Sequence, residues 1–156
     1  MRQTIDGVII RDLVSFEDQR GWLMELFRHD ELDADIHPVM SYVSATRPGV
    51  ARGPHEHTDQ TDLFCFLGPS LFRLYLWDNR PRSATYGNHL TLEAGEGKPL
   101  MVAVPAGVVH AYKNIGTEVG IVYNAPNRLY RGEGRKSEVD EIRHEDDPGS
   151  PFKLSD

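Results

Sequence analysis

Two short stretches of this 156-residue chain hold the residue types that could do chemistry. The first, RPGVARGPHEHTDQTDLF at residues 47–64, sets His55 and His57 one residue apart and places Asp62 five positions after His57. The second, PAGVVHAYKN at residues 105–114, places His110 behind a Pro-Ala-Gly turn. In an extended strand His55 and His57 project from one face, because successive side chains alternate. A hairpin partner carrying Asp62 can reach that face, and a neighbouring strand opening after the turn can present His110. Three imidazoles and a carboxylate suit a divalent transition metal (Zn, Mn, Fe or Ni), with nitrogen ligands at about 2.0–2.1 Å for zinc. The same groups can instead move protons. Neutral imidazole titrates near working pH, and a carboxylate behind it fixes the tautomer and stabilises the imidazolium. Taken alone, these residues leave both chemistries open.

The elements that must position them read as strands. GVIIRDL, WLMELF, VMSYVSA, LFCFL, LFRLYLW, HLTLE, LMVAVP and VGIVYN recur between Gly, Pro, Asn and Asp punctuation, and β-branched, aromatic and leucine side chains dominate them. In LFRLYLWD the period is two, with Phe72, Leu74 and Leu76 on one face and Arg73, Tyr75 and Trp77 on the other. Only FRHDELDADI reads as a short peripheral helix. Many short strands with little helix predict an all-β sandwich or barrel. No repeat or linker divides residues 1–156, so a single domain is expected. Residues 131–156 begin with the charge-dense RGEGRKSEVDEIRHEDDPGS and read as a solvated tail, although the spaced apolar residues of VDEI and the final PFKL give it means to dock.

Composition narrows the function classes. A hydrophobic fraction of 39% supports an ordinary core, and a net charge of −7 argues against a general nucleic-acid surface while leaving room for a local basic pocket. The single cysteine, Cys65, sits in the apolar run LFCFL and reads as a buried core residue, which excludes an intrachain disulfide framework. MRQTIDGVII has no long apolar stretch, and LMVAVPAGVV is short and interrupted by Pro105. Neither a secretory signal nor a membrane span is visible, so a cytoplasmic protein is expected.

The spacing of the two histidine stretches resembles the paired motifs of the cupin superfamily, with Asp62 where the first motif ordinarily ends in Glu. That resemblance implies a cupin double-stranded β-helix, the jelly-roll barrel. A wider one follows. DQRGWLMELF looks like the Asp-x-Arg-Gly…Glu-x-Phe segment of the dTDP-4-dehydrorhamnose 3,5-epimerase family, and ARGPH looks like its Arg-Gly-x-His. WDNRPRSATYG resembles its Asp-x-Arg-x-x-Ser-Pro-Thr-x-Gly, with Ala84 for the proline. VPAGVVHAY resembles its Pro-x-Gly-x-x-His-Gly-Phe, Tyr123 falls where the family places a tyrosine after the histidine, and HEDDP resembles its acidic pair near the end. The order holds from about residue 14 to residue 148.

What this resemblance implies is a homodimeric cupin that binds a small-molecule nucleotide sugar, a dTDP-linked 4-keto deoxysugar. No cofactor is implied, and neither nucleic acid nor membrane is a partner. In the family a histidine supported by an aspartate abstracts a proton beside the carbonyl, a tyrosine on the other face returns one, and a lysine steadies the enolate. Carried over, the base is His55 and its orienting acid is Asp147, with Asp146 the near alternative. Tyr123 is the acid and His110 the second active-site histidine. Arg20, Glu25 and Arg52 match positions that hold the nucleotide, and His57 and Tyr130 join the substrate-binding set.

The chain also departs from the family. His57 replaces a glutamine, and the family's Gln-x-Lys-Leu becomes Gln60-Thr61-Asp62-Leu63, an aspartate for the lysine. A carboxylate about 4 Å from a developing enolate costs on the order of 1–4 kcal/mol, where a cation would gain a similar amount. A metal held by His57, Asp62 and His110 could supply the missing charge as a Lewis acid. If His55 also bound it, His55 could not be the base. The leading expectation is therefore a 3,5-epimerase-like isomerase. The alternatives are a metal-dependent cupin using His55, His57, Asp62 and His110, or a non-catalytic sugar-nucleotide binder.

Overall fold

Alternation of large apolar side chains builds two sheets that close on one another. The computed structural model describes residues 4–155, so the two ends of the expected domain lie outside the described residues. Its strands are β1 (Ile9–Asp12), β2 (Ser15–Asp18), β3 (Gly21–Met24), β4 (Tyr42–Thr46), β5 (Ala51–Glu56) and β6 (Asp62–Phe66). They continue with β7 (Leu71–Asp78), β8 (His89–Gly95), β9 (Leu100–Val104), β10 (Val108–Asn114), β11 (Gly120–Asn124) and β12 (Ile142–Arg143). One antiparallel sheet runs β1-β9-β6-β11-β4, the other β12-β5-β10-β7-β8, and β2 and β3 form a separate hairpin. This is the expected cupin jelly roll. No helix among the described residues is long and apolar enough to cross a membrane.

The inner faces carry the main core. Phe64, Phe66, Val102, Val104 and Val122 of the first sheet meet Phe72, Leu74, Leu76, Val108 and Tyr112 of the second. Phe72, Leu74 and Leu76 do share one face, as the period-two reading requires. Tyr75 is nevertheless buried on the opposite face, because the C-terminal segment covers it. Its hydroxyl donates to the Ser155 carbonyl at 2.6 Å, and Phe152 packs 5.7 Å from the Trp77 ring.

A second core lies on the outer face of the first sheet, where Leu63, Cys65, Met101 and Ala103 meet Leu13, Leu32 and Ala125. Two covered faces explain why β6 and β9 are buried along their whole length. The helix expected over residues 27–36 is a correction. It is replaced by two single 3-10 turns, His29–Glu31 and Ala34–Ile36. Leu32 and Asp33 between them are extended, which spreads Phe27, Leu32 and Ile36 over the sheet. A three-turn helix would present only one narrow stripe to the same surface.

Candidate active site

The three histidines meet at one end of the sandwich interior. Register pairs His110 with His55 across β10 and β5, and an extra β5 residue is accommodated before Tyr112 pairs with Arg52. Gly53 makes this bulge possible. It sits at φ +83°, and a Cβ there would fall 2.5 Å from the His110 carbonyl oxygen. Ring centroids of His55 and His110 are 4.6 Å apart, and His57 stands 5.7 Å from each. Glu56 points the other way, as alternation demands, and accepts from Asn79 and His144, both at 2.8 Å.

Asp62 joins the histidines from the facing sheet, and one ligand-capable atom from each of the four residues lies within 4.8 Å of all the others. Its Oδ1 accepts from Gln60 Nε2 at 2.8 Å and from Asn124 Nδ2 at 2.9 Å. Its Oδ2 faces His57 Nε2 at 2.9 Å and His110 Nε2 at 3.2 Å, the latter out of line for a hydrogen bond. Burial pushes the Asp62 carboxyl up, but the two imidazoles outweigh it and hold the group well below the usual carboxylate range. Burial likewise lowers His57, and the Asp62 contact overrides it, raising the ring to about 9. His55 has no such anchor. Burial, then the neighbouring His110 and His57, lowers it to about 3, so its ring is neutral at working pH. His57 lines the cavity and Asp62, in contact with it, does not.

The charged tail enters the site through β12, which pairs with β5 so that Arg143 lies opposite His55. The expected acid behind His55 needs correction. Asp147 accepts from the Gly149 amide at 2.8 Å and Asp146 pairs with Arg143 at 3.0 Å, so both serve their own turn. Glu141 and Glu145 face His55 Nδ1 instead, at 3.8 and 3.9 Å. Asp140 is a residue that sequence reasoning missed. Its carboxylate accepts from the amides of Thr58, Asp59 and Gln60 and from the Thr58 hydroxyl, and its carbonyl accepts from His57 Nδ1. One tail residue thereby shapes the whole turn between His57 and Asp62. Its only sequence signal was its place in VDEI.

Above the histidines opens a cavity of about 1150 Å³, large for a small-molecule site. His55 and His57 form its floor, Arg52, Arg128, Arg131, Arg135 and Arg143 line it together with the carboxylates Asp59, Glu138, Asp140, Glu141 and Glu145, and Tyr42, Tyr112 and Tyr130 contribute hydroxyls. Among the described residues no lysine lines it. Arg52 is braced by bonds to Thr46 Oγ1 and the Ala45 carbonyl, at 2.9 and 2.8 Å. Tyr42 accepts from Asn124 at 2.8 Å, and burial raises its hydroxyl to about 12.

Three expected residues are not brought here. Tyr123 pairs in register with Cys65 and packs in the outer core, since β11 turns Val122 and Asn124 inward. Arg20 lies in the β2–β3 hairpin, nine-tenths exposed and paired with Asp18. Glu25 pairs with Arg28 at 3.4 Å, away from the cavity.

Comparison with known proteins agrees with the fold. Residues 2–147 match the family model described as dTDP-4-dehydrorhamnose 3,5-epimerase. The chain is 40% identical over 128 residues, 81% of each protein, to the "Probable low-salt glycan biosynthesis epimerase Agl13" of Haloferax volcanii. It is 35% identical over 120 residues to the spore coat polysaccharide biosynthesis protein SpsL of Bacillus subtilis, covering 76% of this chain and 78% of that one. The structure is similar to a dTDP sugar isomerase from Desulfovibrio desulfuricans, with a TM-score of 0.81 at 20% identity over 96% and 91% of the two chains. It is also similar to the Legionella pneumophila dTDP-6-deoxy-D-glucose-3,5-epimerase solved with dTDP-4-keto-L-rhamnose, with a TM-score of 0.74 at 20% identity over 92% and 75%. At these identities the structural likeness speaks for the fold.

Proposed function

The chain belongs to the dTDP-4-dehydrorhamnose 3,5-epimerase family, and from that premise we propose that it inverts a carbon next to the C4 carbonyl of a dTDP-linked 4-keto deoxysugar, with His55 as the base. The observation that carries this reading is a neutral His55 on the floor of a cavity walled by arginines and carboxylates, with a buried, unclaimed Nδ1 facing two of those carboxylates. The C–H bond beside the carbonyl breaks, its proton goes to the imidazole, and its electron pair moves onto the carbonyl oxygen. Glu141 and Glu145 then face the new imidazolium, although Arg143 shares Glu145 at 3.2 Å. A proton returned to the opposite face inverts the centre.

We assign that return to Tyr42 in place of Tyr123. Its oxygen accepts from Asn124, which leaves the hydroxyl proton free to donate, and Asn124 ties it to Asp62. Arginine forks suit the paired phosphate oxygens of the nucleotide, which supports Arg52, Arg131 and Arg135 as the diphosphate grip, with Tyr130 beside them, since Arg128 is held by Asp59 and Arg143 by Glu145 and Asp146. The enolate oxygen needs positive charge, and with no lysine on the wall we assign it to the His57 side of the floor.

We extend the proposal to a homodimer, for which Phe16, Trp22 and Leu23, exposed on the β2–β3 hairpin, supply apolar contact. Arg20 and Glu25 can serve a nucleotide only across such a contact. Sedimentation gives the test, and a monomer at assay concentration would remove both residues from the site.

The test of the reaction is solvent deuterium uptake into a dTDP-4-keto-6-deoxy sugar. Uptake should be catalytic, and inversion of the centre should fall on Tyr42→Phe, with an unaltered dTDP affinity. Saturable binding without exchange would make the protein a binder. Unchanged inversion in Tyr42→Phe with loss in Tyr130→Phe would move the acid to Tyr130.

A further inference from the structure

We propose that His57, Asp62 and His110 bind a divalent transition metal ion through Nε2, Oδ2 and Nε2, at the cavity floor beside His55. His57 Nδ1 faces the Asp140 carbonyl and His110 Nδ1 faces the Val108 carbonyl at 3.0 Å. A carbonyl only accepts, so each ring carries its hydrogen on Nδ1. A neutral imidazole has one N–H, so both Nε2 atoms turn lone pairs inward unless a further proton is bound; His110 Nε2 is buried without a partner, and His57 Nε2 has Gln60 Nε2 at 3.4 Å. Both point at one carboxylate oxygen, at 2.9 and 3.2 Å. Two ring nitrogens and one carboxylate oxygen therefore converge on one spot, where the His57–Asp62 contact can hold a single proton. All three residues are buried, with exposures of 8%, 1% and 3% in chain order.

A proton is the simplest cation, but one proton is too few. Placed on His57 Nε2, it serves the His57–Asp62 contact and leaves His110 Nε2 with no partner. A second proton would bury two adjacent imidazolium rings, with His55 4.6 Å from one of them. One metal ion satisfies all three atoms at once. The spacing suits it, because ligands held about 2.0–2.1 Å from a tetrahedral ion lie roughly 3.3 Å apart.

The surroundings suit it as well. Ring N–H groups bonded to carbonyls, and a carboxylate whose other oxygen takes two amide donors, are the outer contacts that orient metal ligands. His57 lines the cavity, so an open position of the ion would face an incoming oxygen. His55 stays outside the shell, its Nδ1 turned toward Glu141 and Glu145. The ion would supply the positive charge that no lysine on this wall provides.

The experiment is metal analysis of untagged protein purified without chelator, then dialysed against micromolar Zn²⁺, Mn²⁺, Fe²⁺ or Ni²⁺. About one ion per chain is expected, with a ligand-field spectrum when Co²⁺ is substituted. His110→Gln and His57→Gln should each lower the stoichiometry at least about tenfold while far-ultraviolet circular dichroism stays native. Less than roughly a tenth of an ion per chain in the unaltered, folded protein overturns the site without reference to any variant. Full metal retained in the folded double variant overturns it too, by placing the ion elsewhere. Deuterium exchange by metal-free protein would leave the His55 proposal standing alone.

Discussion

Asp62 and Asp78 are both buried carboxylates at strand ends, and they are built in opposite ways. The Asp78 side chain is fully covered, and every contact to it is a donor. The Arg80 guanidinium meets both oxygens at 2.8 and 2.9 Å, the Arg80 amide adds 3.1 Å, and the Ser83 and Thr85 hydroxyls each lie at 2.6 Å. Asp62 has two amide donors on one oxygen, and its other oxygen faces two ring nitrogens, of which only His57 Nε2 is placed to donate. A carboxylate buried for structure is surrounded by matched partners. Asp62 instead shares one oxygen between two rings and leaves a buried nitrogen of His110 without a partner. The WDNRPRSATYG segment that contains Asp78 thus resembles the family because it folds a turn, while the segment containing Asp62 departs from it where reaction is proposed.

The largest effect should come beside Asp62. His55→Ala is expected to reduce deuterium exchange by roughly 10³-fold with dTDP affinity nearly intact, since loss of a general base typically costs 10²–10⁴. A fall of only a few-fold would move the base elsewhere and collapse the contrast.

Next comes the structural carboxylate. Asp78→Asn leaves the Arg80 guanidinium without its charge partner and should cost about 3 kcal/mol in denaturant unfolding, with kcat unchanged in the folded fraction. Burial raises Asp78, but Arg80, Ser83 and Thr85 together hold it below its usual range. A depressed carboxyl contributes stability above its unfolded value of about 3.9 and loses it as pH falls toward the folded value. Unfolding free energy should therefore decline on acidification below about pH 4, and this slope should flatten in Asp78→Asn.

Smaller again is Asp140→Ala. Losing the carboxylate that gathers the Thr58, Asp59 and Gln60 amides should cost about 1–2 kcal/mol and lower kcat/KM about tenfold through a loosened His57. Unaltered kinetics would mean the turn holds its shape unaided. The smallest effect belongs to Tyr123→Phe. With its ring in the outer core, exchange should stay within about twofold of the unaltered protein, and a large loss would return the tyrosine to the chemistry.

How much of this was readable depends on distance along the chain. Period-two alternation is a property of the extended backbone itself, so LFRLYLWD disclosed its inner face and His55 and His57 disclosed theirs. The return of Asp62 across a short turn and the entry of His110 after Pro105-Ala106-Gly107 were also local matters, and the four residues do converge. The face chosen by β11 was not readable, because VGIVYN is nearly apolar throughout. Only a second core outside the sheet lets Tyr123 point outward while Asn124 turns in to meet Asp62. Likewise FRHDELDADI has helical spacing, yet it spreads into two turns to cover that sheet.

The tail is the clearest divide between the two levels. Its charge density suggests solvation, and nothing within residues 131–150 says that β12 pairs with β5, or that Asp140, Glu141 and Glu145 reach the histidines while Asp147 does not. Pairings more than eighty residues apart are set by which edge strand is left open once the sheets have formed. Sequence determined the strand faces and the identity of the histidine cluster, because those follow from bond geometry within a few residues. Tertiary structure decided which carboxylates, tyrosines and arginines surround the cluster, because that depends on how distant surfaces compete for burial.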